Sequence, residues 1–545
     1  MDKIIKSKLF LILILASLLR LLFLAKVPPA LNWDEVSMGY SAYSLSLTGA
    51  DEWGNKMPLF FRSYGEWKSP VYIYLLVPFI KIFGLNAWGV RLPAAIAGIL
   101  AVYLTYLIGK RLYGEHVGLW SAFFLAVSPW HLMLSRPGFE AGVALAAILA
   151  GIYFFLQSIK YVEGKQLKFY ILYTIFYILF FGLAPYTYNS AKVVVPLLVV
   201  ILLYLKRSEI GFKRILLILT ALFVIAIPIL SSIKSGVSQK RYAQVGITTD
   251  AELTEKFYEY RKTFPAPPVV SRVIFSKYSF FVVKLIDNYF SYLTPNFLII
   301  SAGNRPQHSI PYHGVLYFSE FAFLCVGIWT FRKKQDSLKY LPFFLIGLGI
   351  IPAATTKEPY HVLRSILTIP GWQFLAGLGM THLQKIKFSR LKVVNLLLFV
   401  EVSCFMLLYF TWYPRAFARE WQFGYKEVIE YITKLPRDYD QIIFTKWYGE
   451  PQLFLAFYSQ MDPYEYQRKN KDLIRYENQG LSWLDQLDTY QIGNYTFQYL
   501  EWHGQGDDRR NLYIGKDDDF WPETDLKKTI YFPDSSVAFK IVEAQ

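Results

Sequence analysis

Long apolar runs recur along the first 412 residues, and clusters of Lys and Arg separate many of them. Runs of about 16 to 22 apolar residues match the length a helix needs to cross hydrocarbon. Backbone polar groups find no water there, so an unbroken helix is the structure that such a run can adopt. The runs therefore restrict the chain to a multi-pass α-helical membrane protein. Composition agrees, since 54% of the 545 residues are hydrophobic and only 18% are charged. The net charge of +16 gives no reason to expect a nucleic-acid partner, because the basic residues bunch between apolar segments, as the positive-inside rule requires. Cys325 and Cys404 both lie inside apolar segments, so neither a disulfide framework nor a thiolate metal site follows.

Lys3, Lys6 and Lys8 precede the apolar stretch Leu9 to Ala25. Lys26-Val27-Pro28-Pro29 lacks a small-x-small cleavage pattern, so a retained signal-anchor helix with a cytoplasmic N-terminus is expected, in the cytoplasmic (inner) membrane. The clusters Lys110-Arg111, Lys160 to Lys168, Lys206 to Arg214, Arg332-Lys333-Lys334 and Lys385 to Lys392 are then cytoplasmic too. Spans are expected at 88–109, 116–134, 141–158, 169–185, 191–205, 215–231, 313–331, 339–354, 365–381 and 393–412. With the first, that makes about eleven transmembrane helices. The alternation holds only if 70–84, which contains Pro78 and Lys81, lies as a juxtamembrane helix in the outer interface. The outer segments are then 27–87, the turn at 135–140, the long stretch 232–312, and everything after Trp412.

Residues 413–545 lose the long apolar runs and gain Asp, Glu, Asn and Gln, which marks a small extracytoplasmic domain of α/β or α+β type. Residues 1–412 form the membrane domain. Phe423 to Leu435 reads as an amphipathic helix. Gln441 to Thr445, Tyr495 to Glu501, Asn511 to Ile514 and Thr529 to Phe532 read as strands.

Unusual residues gather in the outer turns. The first outer segment carries Asp34, Glu35, Tyr40, Tyr43, Asp51, Glu52, Arg62, Glu66 and Lys68, and the turn after the third span carries His131, Arg136 and Glu140. An ionisable group at the membrane boundary, such as Glu140, is a candidate for function. The competing reading is a helix N-terminal acid, which the macrodipole favours. Asp34 and Glu140 on neighbouring outer turns would face one cavity, with Arg136 and Lys68 supplying positive charge. Such a set suits a reaction on a lipid-linked anionic substrate: a carboxylate takes a proton from an acceptor hydroxyl, and Arg or Lys holds the departing phosphate. Tyr186, Tyr188 and Asn189 offer hydroxyl, amide and ring faces to a sugar, or form an interfacial aromatic belt. Arg364, after Lys357-Glu358-Pro359-Tyr360-His361, fits a phosphate contact or snorkelling to headgroups. His131 would line the site or cap its turn. A divalent metal, where the reaction uses one, would draw on Asp34, Glu140 and His308, although the histidines lack tight ligand spacing. No P-loop, dinucleotide fingerprint, nucleophile elbow or H-E-x-x-H occurs.

Trp33-Asp34-Glu35, Thr48 to Gly54, Glu66-Trp67-Lys68-Ser69-Pro70, Arg91-Leu92-Pro93 and Ser128 to Glu140 together resemble bacterial members of the dolichyl-phosphate-mannose protein mannosyltransferase family. That family is related to the aminoarabinose transferases, within the glycosyltransferase C fold. The resemblance covers roughly residues 10–410. It implies a multi-pass inverting glycosyltransferase that takes a hexose or pentose, mannose-like by preference, from a polyprenyl-phosphate donor at the outer membrane face. The acceptor would be a protein, lipid or glycan. Asp34 would be the catalytic base with Glu35 beside it, and Glu66 and Lys68 would match the acidic-x-basic pair near the donor phosphate. Glu140 stands where relatives often have Asp, and Ser69 where they often have a second Pro. The alternatives are a flippase of lipid-linked saccharides and a non-catalytic envelope-assembly protein. The flippase would be expected to place charges at mid-membrane, where Glu401 is the main exception to nearly charge-free spans.

Overall fold

The computed structural model describes residues 2–164, 166–234, 242, 244–265, 267–331, 336–358, 360–435, 439–500 and 510–543. The basic cluster Arg332-Lys333-Lys334, Pro359 and the expected strand end at Glu501 lie outside these residues. Among the described residues, six helices are long and apolar enough to cross a membrane: Ala87–Tyr113, Glu140–Val162, Leu167–Thr187, Phe212–Ser232, Ser337–Ala354 and Leu391–Ala416. Glu115–Val127 and Pro129–Ser135 add a seventh if they count as one span bent by 59°. The bend falls at Ser128, because a residue before proline is driven out of the helical region.

The expectation of about eleven spans also counted shorter segments. Ala191–Leu205 has 15 residues and Phe318–Thr330 has 13. The stretch 365–381 is a 3-10 turn, Ile366–Thr368, followed by the helix Gly371–Lys385. At 1.5 Å per residue, helices of this size reach about 20–22 Å, short of the roughly 30 Å hydrocarbon layer. Pro70–Phe83, with 14 residues, is short for the same reason.

The chain divides into two compact units. The first comprises Met1–Arg20, Ala95–Ser135 and Glu140–Phe405. Its helices approach closely through glycine: a Cβ at Gly327 would collide with the Leu375 carbonyl, and one at Gly379 with the Phe323 carbonyl. Small residues at a helix crossing are how apolar helices gain contact when lipid is as apolar as they are. Two carboxylates on its apolar helices each accept a hydrogen bond. Glu401 accepts from the Ser319 amide at 3.0 Å, and Glu320 from Gln373 Nε2 at 3.2 Å.

The second unit comprises Leu21–Ala94, Arg136–Phe139 and Met406–Gln545. It opens with the helix Trp33–Thr48, then the two-residue strands β1 (Phe61–Arg62) and β2 (Trp67–Lys68) of one antiparallel hairpin. A six-stranded sheet follows, made of β3 (Gln441–Thr445), β4 (Thr489–Ile492), β5 (Tyr495–Gln498), β6 (Asn511–Gly515), β7 (Lys528–Tyr531) and β8 (Val537–Glu543). The order is β4-β5-β3-β6-β8-β7, with β3 parallel to both neighbours and the outer pairs antiparallel. β3 is buried along most of its length and its sequence is a near-continuous apolar run, as a central parallel strand requires. Tyr425–Ile432 lies within the expected amphipathic helix. β4 and β8 escaped the pattern reading, as did Pro451–Tyr458 and Pro463–Asn470, whose proline at the first helical position is a start signal.

The 33–51 segment and the sheet region share this unit through direct bonds. Tyr40 donates to the Met461 carbonyl at 2.9 Å, and Gln467 Nε2 donates to Ser44 Oγ, Thr48 Oγ1 and the Asp51 carbonyl at 2.9–3.1 Å. Gly39 has no room for a side chain, since a Cβ would stand 2.7 Å from the Phe457 ring and 2.8 Å from Val90.

Candidate functional site

Asn32 caps the helix Trp33–Thr48: its Oδ1 accepts from the Glu35 amide at 3.0 Å, and Glu35 Oε2 accepts from the Asn32 amide at 3.1 Å. This reciprocal box fixes the first turn, and so sends consecutive carboxylates in different directions. Glu35 is completely buried. Its Oε1 accepts from Arg91 Nε at 2.7 Å and from the Gly138 amide at 2.8 Å, while Oε2 also accepts from Arg91 Nη2 at 3.0 Å. Arg91, equally buried, donates onward to the Leu24, Pro28 and Ala30 carbonyls. Every lone-pair direction of Glu35 is therefore engaged in holding the segments 24–30, 91 and 138 together.

Asp34 has the opposite setting. Its side chain keeps 41% of its surface exposed and accepts from Lys68 Nζ at 2.6 Å; Glu66 lies 3.7 Å from the same ammonium. Lys68 is delivered by β2, just before the proline that opens Pro70–Phe83. Burial pulls the ammonium down, but Asp34, Glu66 and Glu450 outweigh it and hold Lys68 above its ordinary range. Glu450 is half-buried at the start of Pro451–Tyr458, in a left-handed conformation (φ 46°), and its amide donates to Asp485 Oδ2 at 2.8 Å. Burial, then Asp485, pushes its carboxyl well above the usual range, with Asp34 and Glu66 adding to the effect and Lys68 opposing it. Glu52 is 1% exposed, and both its oxygens lack a hydrogen-bond partner among the described residues. Burial and the neighbouring Asp51 raise its carboxyl well above the usual range. The local field around Lys68 is thus markedly acidic.

Arg136 is fully buried, donating to the Leu22 carbonyl at 2.8 Å and the Val27 carbonyl at 2.9 Å, with its guanidinium 4.8 Å from the Phe410 ring centre. That is the arrangement of a structural cation that ties 22–27 to 136. Asp34, Glu35, Glu66, Lys68 and Arg136 belong to the second unit; His131, Glu140, Tyr186, Tyr188, Asn189, His308 and Arg364 belong to the first. Glu140 is half-buried and opens its helix. His131 is fully buried, its Nδ1 2.8 Å from Arg20 Nη2. Tyr186 donates to the Ile225 carbonyl. Tyr188 donates to the Leu363 carbonyl and Ser190 to the Arg364 carbonyl, both at 3.3 Å, so the 186–190 and 361–364 segments do meet. Asn189 accepts from Lys192 at 2.7 Å. Among the described residues no three His, Cys, Asp or Glu side chains gather into a metal-binding group.

Residues 67–231 match the family model described as dolichyl-phosphate-mannose-protein mannosyltransferase. Over that segment the resemblance holds. A provisionally named mannosyltransferase, YycA, of Bacillus subtilis is 27% identical over 151 residues, covering 27% of this chain and 20% of that protein. The dolichyl-phosphooligosaccharide-protein glycotransferase 2 of Pyrococcus horikoshii is 33% identical over 91 residues, covering 16% of this chain and 12% of its own. The chain therefore spans no more than a fifth of these relatives' length. Among solved structures, the Archaeoglobus fulgidus oligosaccharyltransferase in complex with Zn and sulfate superposes with a TM-score of 0.50 at 14% identity, covering 83% of this chain and 61% of that one. That likeness shows a glycosyltransferase C-like fold. By name these relatives and this neighbour are glycosyltransferases, which agrees with the enzyme reading of the sequence.

Sequence reasoning found Asp34, Glu66 and Lys68, which the fold brings together. It gave Glu450 and Asp485 no role, and nothing in the primary pattern marks them. Glu52 stood among the outer polar residues without a role; its burial is a tertiary property.

Proposed function

We propose that this protein moves a sugar, mannose-like by preference, from a polyprenyl-phosphate donor to an extracytoplasmic acceptor with inversion. The observation that carries this reading is the Asp34–Lys68 pair: a half-open carboxylate 2.6 Å from a cation, at a helix start braced from behind by Glu35 and Arg91. Asp34 accepts the proton of the acceptor hydroxyl. The acceptor oxygen bonds to the sugar C1 as the bond from C1 to the phosphate oxygen breaks, and polyprenyl phosphate leaves with that electron pair. Lys68 neutralises the charge that the phosphate gains. Inversion sets base and leaving group on opposite faces of the ring, so the Asp34–Lys68 contact opens as the sugar enters between them. Glu66 steers Lys68, and Glu35 positions the helix start. In this reading Glu140, His131, Tyr186, Tyr188, Asn189 and Arg364 contact donor or acceptor groups, and Arg136 acts through the backbone it holds.

The same reading takes residues 1–412 as the membrane domain, with a cytoplasmic N-terminus and the shorter helices completing the crossings. Residues 413–545 then stand outside and select the acceptor, which their bonds to the first outer segment support. The test is transfer of radiolabelled sugar from polyprenyl-phosphate donors to membrane acceptors by the purified protein and its Asp34→Asn variant. Wild-type transfer with loss in the variant is expected; an Asp34→Asn protein that transfers at the wild-type rate overturns the base assignment.

A further inference from the structure

A cavity of about 480 Å³ opens in the first unit between residues 296–309 on one side and Glu358 and Tyr360–Val362 on the other. That volume falls in the range of small-molecule sites, about 300–1,000 Å³. Its wall presents Asn296, Arg305, His308, Glu358, Tyr360 and His361. The mannosyl-transfer chemistry above assigns roles to none of these.

The loops around it are built rather than loose. The Ala302 amide donates to the His313 carbonyl at 3.1 Å, and the Ser309 amide to the Arg305 carbonyl at 3.1 Å. The His361 amide donates to Tyr292 Oη at 2.8 Å. Tyr360 is held in the left-handed region (φ 57°), its ring stacked on Phe297 at 5.6 Å and its hydroxyl accepting from Asn296 Nδ2 at 3.1 Å. Gly303 (φ +124°) lets the opposite loop approach, since a Cβ there would stand 2.7 Å from the Tyr360 carbonyl. A non-glycine residue held at positive φ costs free energy, and such strain collects where a side chain must be presented in one orientation.

The chemistry of the wall selects its ligand. An anion site would carry surplus positive charge, but Arg305 is paired with Glu358 at the rim. A metal site would need three or four converging ligands, whereas the two imidazoles, with ring centres 5.2 Å apart, are joined by no third ligand among the described residues. What the wall offers is a set of planar donors and acceptors, one amide, one guanidinium, one carboxylate and two imidazoles, beside an aromatic ring held by its backbone. Vicinal hydroxyls on a ring, each both donor and acceptor, with an apolar C–H face, match that set.

We propose that this cavity is a saccharide-binding subsite, in which Arg305, Glu358 and Asn296 bond ring hydroxyls beside Tyr360. Binding itself stands on the cavity alone; only its place in a reaction rests on the transferase reading. The sugar would belong to the donor or to a glycan acceptor.

Saturation-transfer difference NMR tests the proposal on the full-length protein in detergent. The probes are methyl α-mannoside, methyl α-glucoside and methyl α-galactoside, each added separately. Ring-proton signals are expected from at least one probe, with affinity about tenfold weaker in Arg305→Ala and in Glu358→Ala, the loss expected when a charged hydrogen-bonding partner is removed. Both side chains are about half exposed, so these variants should keep the wild-type elution and circular dichroism. Asp34→Asn should bind the probe as wild type does even when transfer is lost, which separates this proposal from the base assignment. Absence of signal from all three probes, or undiminished signal in both folded variants, overturns it. In the transfer assay, a rise in donor KM alone assigns the subsite to the donor sugar and a rise in acceptor KM alone to the acceptor. No change in either KM overturns a reaction role for the cavity.

Discussion

Asp34 and Glu35 are neighbours in the chain, yet they face two regions with opposite physics. Glu35 points into a dry interior and meets Arg91 with neither side chain exposed. Asp34 meets Lys68 at a partly exposed position, with 41% of its own side-chain surface in reach of solvent. The buried pair has every lone pair and proton engaged, which makes it rigid and chemically silent. The open pair is a cation contact partly within reach of solvent, which a substrate can replace. A carboxylate becomes a candidate base where its setting leaves it within reach of solvent, and the adjacent residue supplies the rigidity that reactivity requires.

The largest effect should come from breaking the open side. Asp34→Asn is expected to lower kcat by about 10²–10⁴-fold, the usual worth of a positioned general base, with an unchanged melting temperature in detergent. Breaking the buried side should do the reverse. Glu35→Ala strands the Arg91 guanidinium and is expected to destabilise the protein by about 3–5 kcal/mol, read as a depressed Tm and poor yield. The double variant Glu35→Leu/Arg91→Met should recover much of that loss, because neither charge is then left buried alone. If Glu35→Ala melts normally but is inactive, the division between bracing and chemistry is wrong.

Lys68→Ala sharpens the open side. Losing a charged partner of the phosphate should raise the donor KM about tenfold or more, with little change in the acceptor KM, in initial-rate measurements. The smallest effect concerns Glu52. Its folded carboxyl is held well above the ordinary range by burial first and by Asp51 next, so folding favours the protonated form. The associated stability is complete below the unfolded carboxyl value, about 4.3, and is lost as pH rises toward the folded one. Glu52→Gln should therefore leave the melting temperature unchanged near pH 4 and raise it by about 1 °C or more near pH 8, the shift that about 1 kcal/mol produces in a chain of 545 residues. A stabilisation equal at both pH values would show that Glu52 is not the titrating group.

Much of the membrane portion was legible because hydrophobic periodicity and charge clusters are local. The helices Ala87–Tyr113, Glu140–Val162 and Leu167–Thr187 contain the spans expected at 88–109, 141–158 and 169–185. Segment 365–381 is apolar enough, but Pro370 breaks it, so its helix begins at Gly371. In the sheet region β3 and β6 were read almost to the residue, whereas β4 was lost because its alternating Thr489-Tyr490-Gln491-Ile492 is too short to stand out. Lys68 was singled out from its motif. Arg136 was singled out equally and is locked to carbonyls, because composition cannot tell a cation that waits for a ligand from one already used.

By itself the sequence determined that the chain is helical and membrane-embedded along its apolar runs, and that acids and bases collect in particular turns between those runs. Those are consequences of how nearby residues partition between water and hydrocarbon. Only the tertiary structure decided which of two adjacent carboxylates is sealed and which is open, and that Glu450, some 400 residues later, adds its charge to the field at Lys68. Proton affinity and bonding capacity depend on what is packed around a group in space, and that packing joins residues whose separation along the chain carries no trace of their contact.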